Sequence, residues 1–227
     1  MSDFINTIEQ LGEDVVIDSI IDRTITELKD DVIKVLGDSA FAGCGSLTDV
    51  DLPNCTSATG TSHFSKCVGL ENVNLPLLEN TVYSMFYGCI ALKSIALPSV
   101  KTLLYAFDSC HFLERVDLPS ATYINTIFLK CTSLKGILLR SETLCAISRS
   151  NVIVSNQHFH FYGTYDATYN PDSLQDGYVY VPKALVESYQ TATNWATIYA
   201  AIPNVFRALE DYTVDGTITG ELDESKI

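Results

Sequence analysis

One five-fold recurrence restricts what this chain can fold into more than any other feature. Phe-x-x-Cys occurs at Phe41/Cys44, Phe64/Cys67, Phe86/Cys89, Phe107/Cys110 and Phe128/Cys131. Three residues past each Cys stands a Leu: Leu47, Leu70, Leu92, Leu113 and Leu134. Three further on is a β-branched residue (Val50, Val73, Ile95, Val116, Ile137), and two further another Leu (Leu52, Leu75, Leu97, Leu118, Leu139). Pro follows directly at Pro53, Pro76, Pro98 and Pro119, and Arg140 breaks the pattern in the fifth unit.

The chemistry of the unit is readable. Val-x-Leu alternates with period two, so Val and Leu point to one side and the residue between them to the other, as in a short strand with one buried face. Pro lacks an amide hydrogen and ends strand pairing. Phe-x-x-Cys, entered through small residues such as Ser39-Ala40, predicts a tight helical turn on the opposite side of a coil. A unit of ~20–29 residues cannot bury its apolar side alone, whereas stacked units bury a continuous core and each touches only its neighbours.

Ala-Phe-x-x-Cys-x-x-Leu-x-x-Val-x-Leu-Pro resembles the BspA-like leucine-rich repeats of bacterial surface antigens and of many phage and gut-bacterial proteins. The resemblance covers about residues 25–147. It implies an α/β fold: a right-handed leucine-rich-repeat solenoid with a parallel sheet on one face. It also implies binding rather than catalysis, with no particular partner.

Three segments follow. Residues 1–24 place Phe4, Ile5, Ile8, Leu11, Val15, Val16, Ile20 and Ile21 at helical spacing with acids between, which predicts a helical N-terminal cap interrupted at Gly12. Residues 25–147 hold one degenerate unit, over Ile25–Asp38, and the five regular ones. Residues 148–227 form an aromatic-rich segment and a mixed α/β C-terminal cap. There Tyr178-Val179-Tyr180-Val181 predicts a strand, Pro182 opens a helix to about Gln190, a second helix runs from Trp195 to Ala201, and one more strand is expected after Asp211.

Seven cysteines are an odd number, which argues against a disulfide framework. Five of them fall in one slot of the repeat, so they form a ladder one rung apart. A metal needs ligands converging on a point, and a line does not supply that. They read as small, reduced core thiols. Cys145 is aligned with the slot of Ala58, Thr81, Leu103 and Ile124.

The net charge of −14 disfavours a phosphate backbone as partner, and the fourteen Lys and Arg residues never run together, so nucleic acid is excluded as the expected ligand. The acids gather at the ends: residues 1–40 carry ten against three bases, whereas 41–140 carry seven of each. No segment reaches the ~18 apolar residues of a membrane span. Met1-Ser2-Asp3-Phe4 has neither a basic start nor an apolar run, so no secretory signal is read there, and the expected location is a virion or the cytoplasm.

Two candidate binding surfaces follow. The outward positions of the repeat strands form the inner, concave face; on it stand Asp49, Asp51, Asn72, Asn74, Lys93, Glu114, Arg115 and Asp117, with Gly136 and Leu138 in the last unit. The second is the aromatic stretch of Phe159, Phe161, Tyr162, Tyr165 and Tyr169, because clustered aromatics mark interfaces or sugar platforms; covering the last rung is the plainer role. His158 and His160 share one face of a strand and could begin a metal site with Asp166, but no fourth ligand is spaced for it. His63 and His111 fall in turn positions and suggest no site. No nucleophile elbow, phosphate loop, zinc-protease helix or dinucleotide fingerprint occurs, and no cofactor is expected. The expectation is a non-enzymatic protein-binding or structural module, most simply a phage virion component bound to other virion proteins. The alternative is a bacterial adhesin or receptor-binding protein that recognises a host protein or glycan. An oligomer stays open.

Overall fold

Each Leu-x-x-Val-x-Leu run becomes a three-residue strand in the computed structural model, and strands of successive coils pair in parallel. The structure describes residues 15–17, 23–125, 128, 130–131, 133–148, 178–201 and 205–211. One side of the coil stacks β2 (Glu27–Lys29), β4 (Asp49–Asp51) and β6 (Asn72–Asn74), then β7 (Ser94–Ala96), β9 (Arg115–Asp117), β11 (Gly136–Leu138), β13 (Tyr178–Val181) and β14 (Phe206–Ala208). Leu28, Val50 and Val73 share one register line, and Ile95, Val116, Ile137, Val179 and Phe206 continue it. The degenerate unit is thus a true rung, with Leu28 in the slot of Val50. The Asp30 carboxylate turns the chain there by accepting the N–H groups of Val32 and Ile33 at 2.7 and 2.8 Å.

The repeat pattern predicts one sheet, but the coil carries two. A second side stacks β1 (Val15–Ile17), β3 (Ile33–Leu36) and β5 (Ser57–Ala58), then β8 (Thr102–Leu104), β10 (Tyr123–Asn125) and β12 (Ala146–Ile147). A lone Asn80–Thr102 bridge carries the ladder through the intervening coil. These runs are only two to four residues long, too short for alternation to reveal them. Their register corrects the expectation for Cys145: Leu103 pairs with Ile124 and Ile124 with Ile147, so Ile147 holds the inward slot and Cys145 lies two residues upstream, still buried.

Val15–Ile17 also corrects the helical N-terminal cap. That segment is β1, parallel to β3, where it occupies a strand edge that would otherwise present unpaired N–H and C=O groups. Residues 1–14 and 18–22 lie outside the described residues.

The third side is the Phe-x-x-Cys corner, a turn rather than a helix. Cys N–H groups donate back to Phe carbonyls at 3.1–3.2 Å in every unit, and Phe41, Phe64 and Phe86 N–H groups donate to the next coil at His63, Met85 and Ala106. The turn needs left-handed backbone just before each Cys, at Gly43, Lys66, Gly88, Ser109 and Lys130. Inside, the five Phe rings stack at 5.4–5.9 Å with interplanar angles of 7–10°. Each is fully buried, a contribution of ~1.5–3 kcal/mol apiece.

Two further strands and two short helices follow the last repeat. Pro182 leads into a 3₁₀ turn at Lys183–Leu185, followed by α1 (Val186–Thr191) and α2 (Trp195–Ala201), close to the expected boundaries. Both helices are short. Tyr189 Oη accepts the Cys145 N–H at 2.8 Å, Trp195 Nε1–H donates to the Cys145 carbonyl at 2.7 Å, and Asn194 Nδ2 donates to the Ile147 carbonyl at 2.8 Å. Side chains therefore take the backbone partners that another coil would have supplied to β12. Strand β14 was not anticipated, and the strand expected after Asp211 lies outside the described residues.

Candidate binding groove

Strands held ~4.8 Å apart present their outward side chains as rows. One row reads Glu27, Asp49, Asn72, Ser94, Arg115; the other reads Lys29, Asp51, Asn74, Ala96, Asp117. All of these but Glu27, together with Val50, Val73, Ile95 and Glu71, line a groove of about 660 Å³. Six residues expected on this face, Asp49, Asp51, Asn72, Asn74, Arg115 and Asp117, line it together. Lys93 and Glu114 precede their strands; Glu114 Oε2 lies 3.7 Å from Lys135 Nζ, a half-exposed pair of little energetic weight.

The N-terminal half of the groove is acidic and acceptor-rich. Asn72 Nδ2 donates to Asp49 Oδ1 at 2.8 Å, and Asn74 Nδ2 donates to Asp51 Oδ1 at 2.7 Å. Thr48 Oγ1 also donates to Asp49, and these two bonds, Thr48 first and Asn72 second, hold the Asp49 carboxyl below its usual range. Lys29 is tied to Glu27 at 3.1 Å, which raises its own pKa.

The other half is different. Asp117 is clamped by Arg140, whose Nε and Nη2 reach its two oxygens at 2.8–3.0 Å. Arg140 is the residue that replaces Pro in the fifth unit, and its reach back across one coil was not foreseen. The Arg115 side chain makes no ion pair or hydrogen bond with any described residue and is flanked in its row by Ser94 and Gly136. Beyond it the face is covered. Gly136 and Leu138, expected to be exposed, are buried, Leu138 against Tyr180 and Leu209. The Arg207 guanidinium sits 4.6 Å over the Tyr178 ring at this end.

No backbone hydrogen bond joins β6 to β7, although the other neighbours on this face are laddered. The Phe-x-x-Cys corner stitches the same two coils with three bonds, Ser62, Phe64 and Lys66 N–H to Tyr83, Met85 and Tyr87 carbonyls at 2.6–2.9 Å. The ladder is therefore open at the groove's centre.

The cysteines do not contribute a site. Cys67, Cys89, Cys110 and Cys131 donate their thiol hydrogens to the carbonyls of Phe41, Phe64, Phe86 and Phe107, one coil back, at 3.0–3.1 Å. Burial pushes the Cys67, Cys110 and Cys145 thiols up to about 12 and Cys55 to about 11. Among the described residues no group of three His, Cys, Asp or Glu side chains is placed to hold a metal, and no helix is long and apolar enough to cross a membrane. His63, read as a plain turn residue, is fully buried, with Nε2 2.7 Å from the Thr59 carbonyl and Nδ1 unpartnered. Phe159, Phe161, Tyr162, Tyr165 and Tyr169, with His158, His160 and Asp166, lie outside the described residues. The Tyr83–Tyr105 ring pair, at 4.5 Å, with Tyr83 exposed and Tyr105 half-buried, is an aromatic surface that the repeat pattern did not flag.

Comparison with known proteins agrees with this architecture. The family described as BspA type Leucine rich repeat region matches residues 34–150 in six copies. No curated protein matches the chain. A leucine rich cell surface protein from Faecalibacterium prausnitzii A2-165 is similar over 58% of this chain and 36% of its own, at 27% identity and a TM-score of 0.50. The pneumococcal vaccine antigen PcpA is similar in fold over 84% of this chain and 45% of its own, at 14% identity and a TM-score of 0.55. The chain spans less than half the length of either.

Proposed function

This chain belongs to the BspA-type leucine rich repeat family, and from that premise we propose that it is a non-enzymatic protein-binding module that engages its partner through the strand-face groove. The observation that carries the reading is the groove itself: six outward side chains from three coils converge on one 660 Å³ depression in which Arg115 lacks a counter-ion among the described residues. Stacked repeats present such extended faces for recognition. The groove holds carboxylates, amides and a guanidinium but no nucleophile paired with a base, which fits recognition better than reaction. The cell-surface setting named for the F. prausnitzii neighbour favours an adhesin-like role over the virion role anticipated from the sequence.

Site-specific photo-crosslinking tests this reading. A photoreactive residue at Ser94 of the full chain, exposed to intact bacterial or host cell surfaces, is expected to capture a discrete protein. The same group at exposed Ser57, on the second sheet, is expected not to. Equal capture from both positions would remove the groove as the binding face. Stoichiometric recovery of the chain in purified phage particles would restore the virion setting.

A further inference from the structure

Resting on that reading, we propose that the groove recognises an extended peptide segment carrying a basic residue and an acidic residue four positions apart. The geometry is bipolar along the stack. At one end Asp49 and Asp51 each have one oxygen held by Asn72 and Asn74, which orients the carboxylates, and Lys29, the cation beside them, is already paired with Glu27, so this end keeps a net negative charge. At the other end Arg115 is free because its nearest acid on the same strand, Asp117, is already taken up by Arg140. Between them the outward strand positions are Ser94, Ala96 and the Asn amides, with Glu71 beside the last of these, and the amide Oδ1 atoms accept no hydrogen bond among the described residues and remain able to accept peptide N–H groups.

The spacing follows from the stacking of the coils, which the Phe-x-x-Cys corner keeps one rung apart where β6 and β7 are not laddered. From β4 to β9 is three coil steps, about 14 Å at ~4.8 Å per step, and an extended chain covers that in about four residues at ~3.4 Å each. A cation over Asp49/Asp51 and a carboxylate on the Arg115 fork then coincide, and the fork suits a planar carboxylate bidentately. Direction along the groove is left free by charge alone, so the discriminating feature is one charge of each sign rather than their order.

The test uses three blocked five-residue peptides, acetylated and amidated at their ends: Lys-Ser-Gly-Ser-Glu, Lys-Ser-Gly-Ser-Lys and Glu-Ser-Gly-Ser-Glu. Each is titrated into the isotope-labelled full chain and followed by backbone amide NMR. The mixed peptide is expected to bind about tenfold more tightly than either like-charged one and to shift the amides of Asp49, Asn72, Ser94 and Arg115. The preference should fade as salt shortens the screening length. Arg115→Glu is expected to switch the preference to the Lys/Lys peptide, and the double change Asp49→Lys, Asp51→Lys to the Glu/Glu peptide. All these side chains are outward, so circular dichroism should stay that of the parent. A ranking that is the same in parent and variants, shifts that map to the Tyr83/Tyr105 side, or no shifts with any peptide would each overturn the proposal. If the Ser94 crosslink persists under those outcomes, the groove still binds protein but by other chemistry.

Discussion

Tyr189→Phe isolates the cost of ending a solenoid. The substitution keeps the ring, which packs edge-on against Trp195 at 5.4 Å and against Phe206 at 5.5 Å, and removes only the hydroxyl that accepts the Cys145 N–H at 2.8 Å. Cys145 is fully buried, so its N–H is left without a partner inside the last rung. An unsatisfied buried donor costs about 1–3 kcal/mol. For a chain of this size each kcal/mol lowers Tm by ~2–4 °C, so a fall of about 2–12 °C is expected. Because each coil contacts only its neighbours, the damage should begin locally. Hydrogen exchange followed by mass spectrometry should show faster exchange over Leu144–Ser148 and across α1 and α2, with β4 and β6 unchanged. Trp195→Phe removes the donor to the Cys145 carbonyl and leaves a void as well, and should exceed it. If Tyr189→Phe changes neither the melting curve nor local exchange, the side-chain substitution for a missing coil is the wrong explanation of the cap.

Two further outcomes follow from buried groups. All seven thiols are buried, and burial holds Cys55 at about 11 and Cys67, Cys110 and Cys145 at about 12 and pushes Cys89 and Cys131 well above the ordinary thiol value, so Ellman's reagent at pH 8 should label none in the native chain and all seven in denaturant; rapid labelling of Cys67 or Cys110 in native buffer would refute the closed core. Desolvation holds the His63 pKa below its ordinary 6.5, against the opposing pull of the Thr59 and Leu36 carbonyls and of Asp38. The folded state therefore favours the neutral ring, and its contribution is present above pH 6.5 and lost as pH falls below it. The urea midpoint should drop between pH 7.5 and 5.5 by more in the parent than in His63→Gln, and a larger drop in the variant would reverse the sign argued here.

How much could be read from sequence divides along the two faces of each strand. Inward residues recur because every coil must fill the same cross-section: Phe41 to Phe128 and Leu47 to Leu134 gave the period, the core and the first ladder. The second sheet stayed hidden because its slot, although the period aligns it, accepts Leu36, Ala58, Thr81, Leu103, Ile124 and Ile147 alike, so nothing in it reads as a strand or fixes its last occupant. The helical reading of Val15–Ile17 failed because apolar spacing in a short segment cannot report the unpaired edge of β3 that claims it. The groove residues were identifiable as outward positions, but which of them remain available was not. Asp117 and Arg140 are 23 residues apart, a separation that becomes a contact only when one coil lies on the next.

That separation makes the groove's character a property of the stack. A charge placed on one rung is opposed or left free by the residue one period away, so Asp49 against Asn72 and Asp117 against Arg140 are decisions made between coils. Mutating Arg140 should accordingly act on the groove at a distance. With Arg140 gone, Asp117 would turn to Arg115 on its own strand, and the positive end of the groove would vanish without any change to Arg115. Recognition in such a chain is therefore written in differences between neighbouring coils, superimposed on a core that has to be the same in all of them.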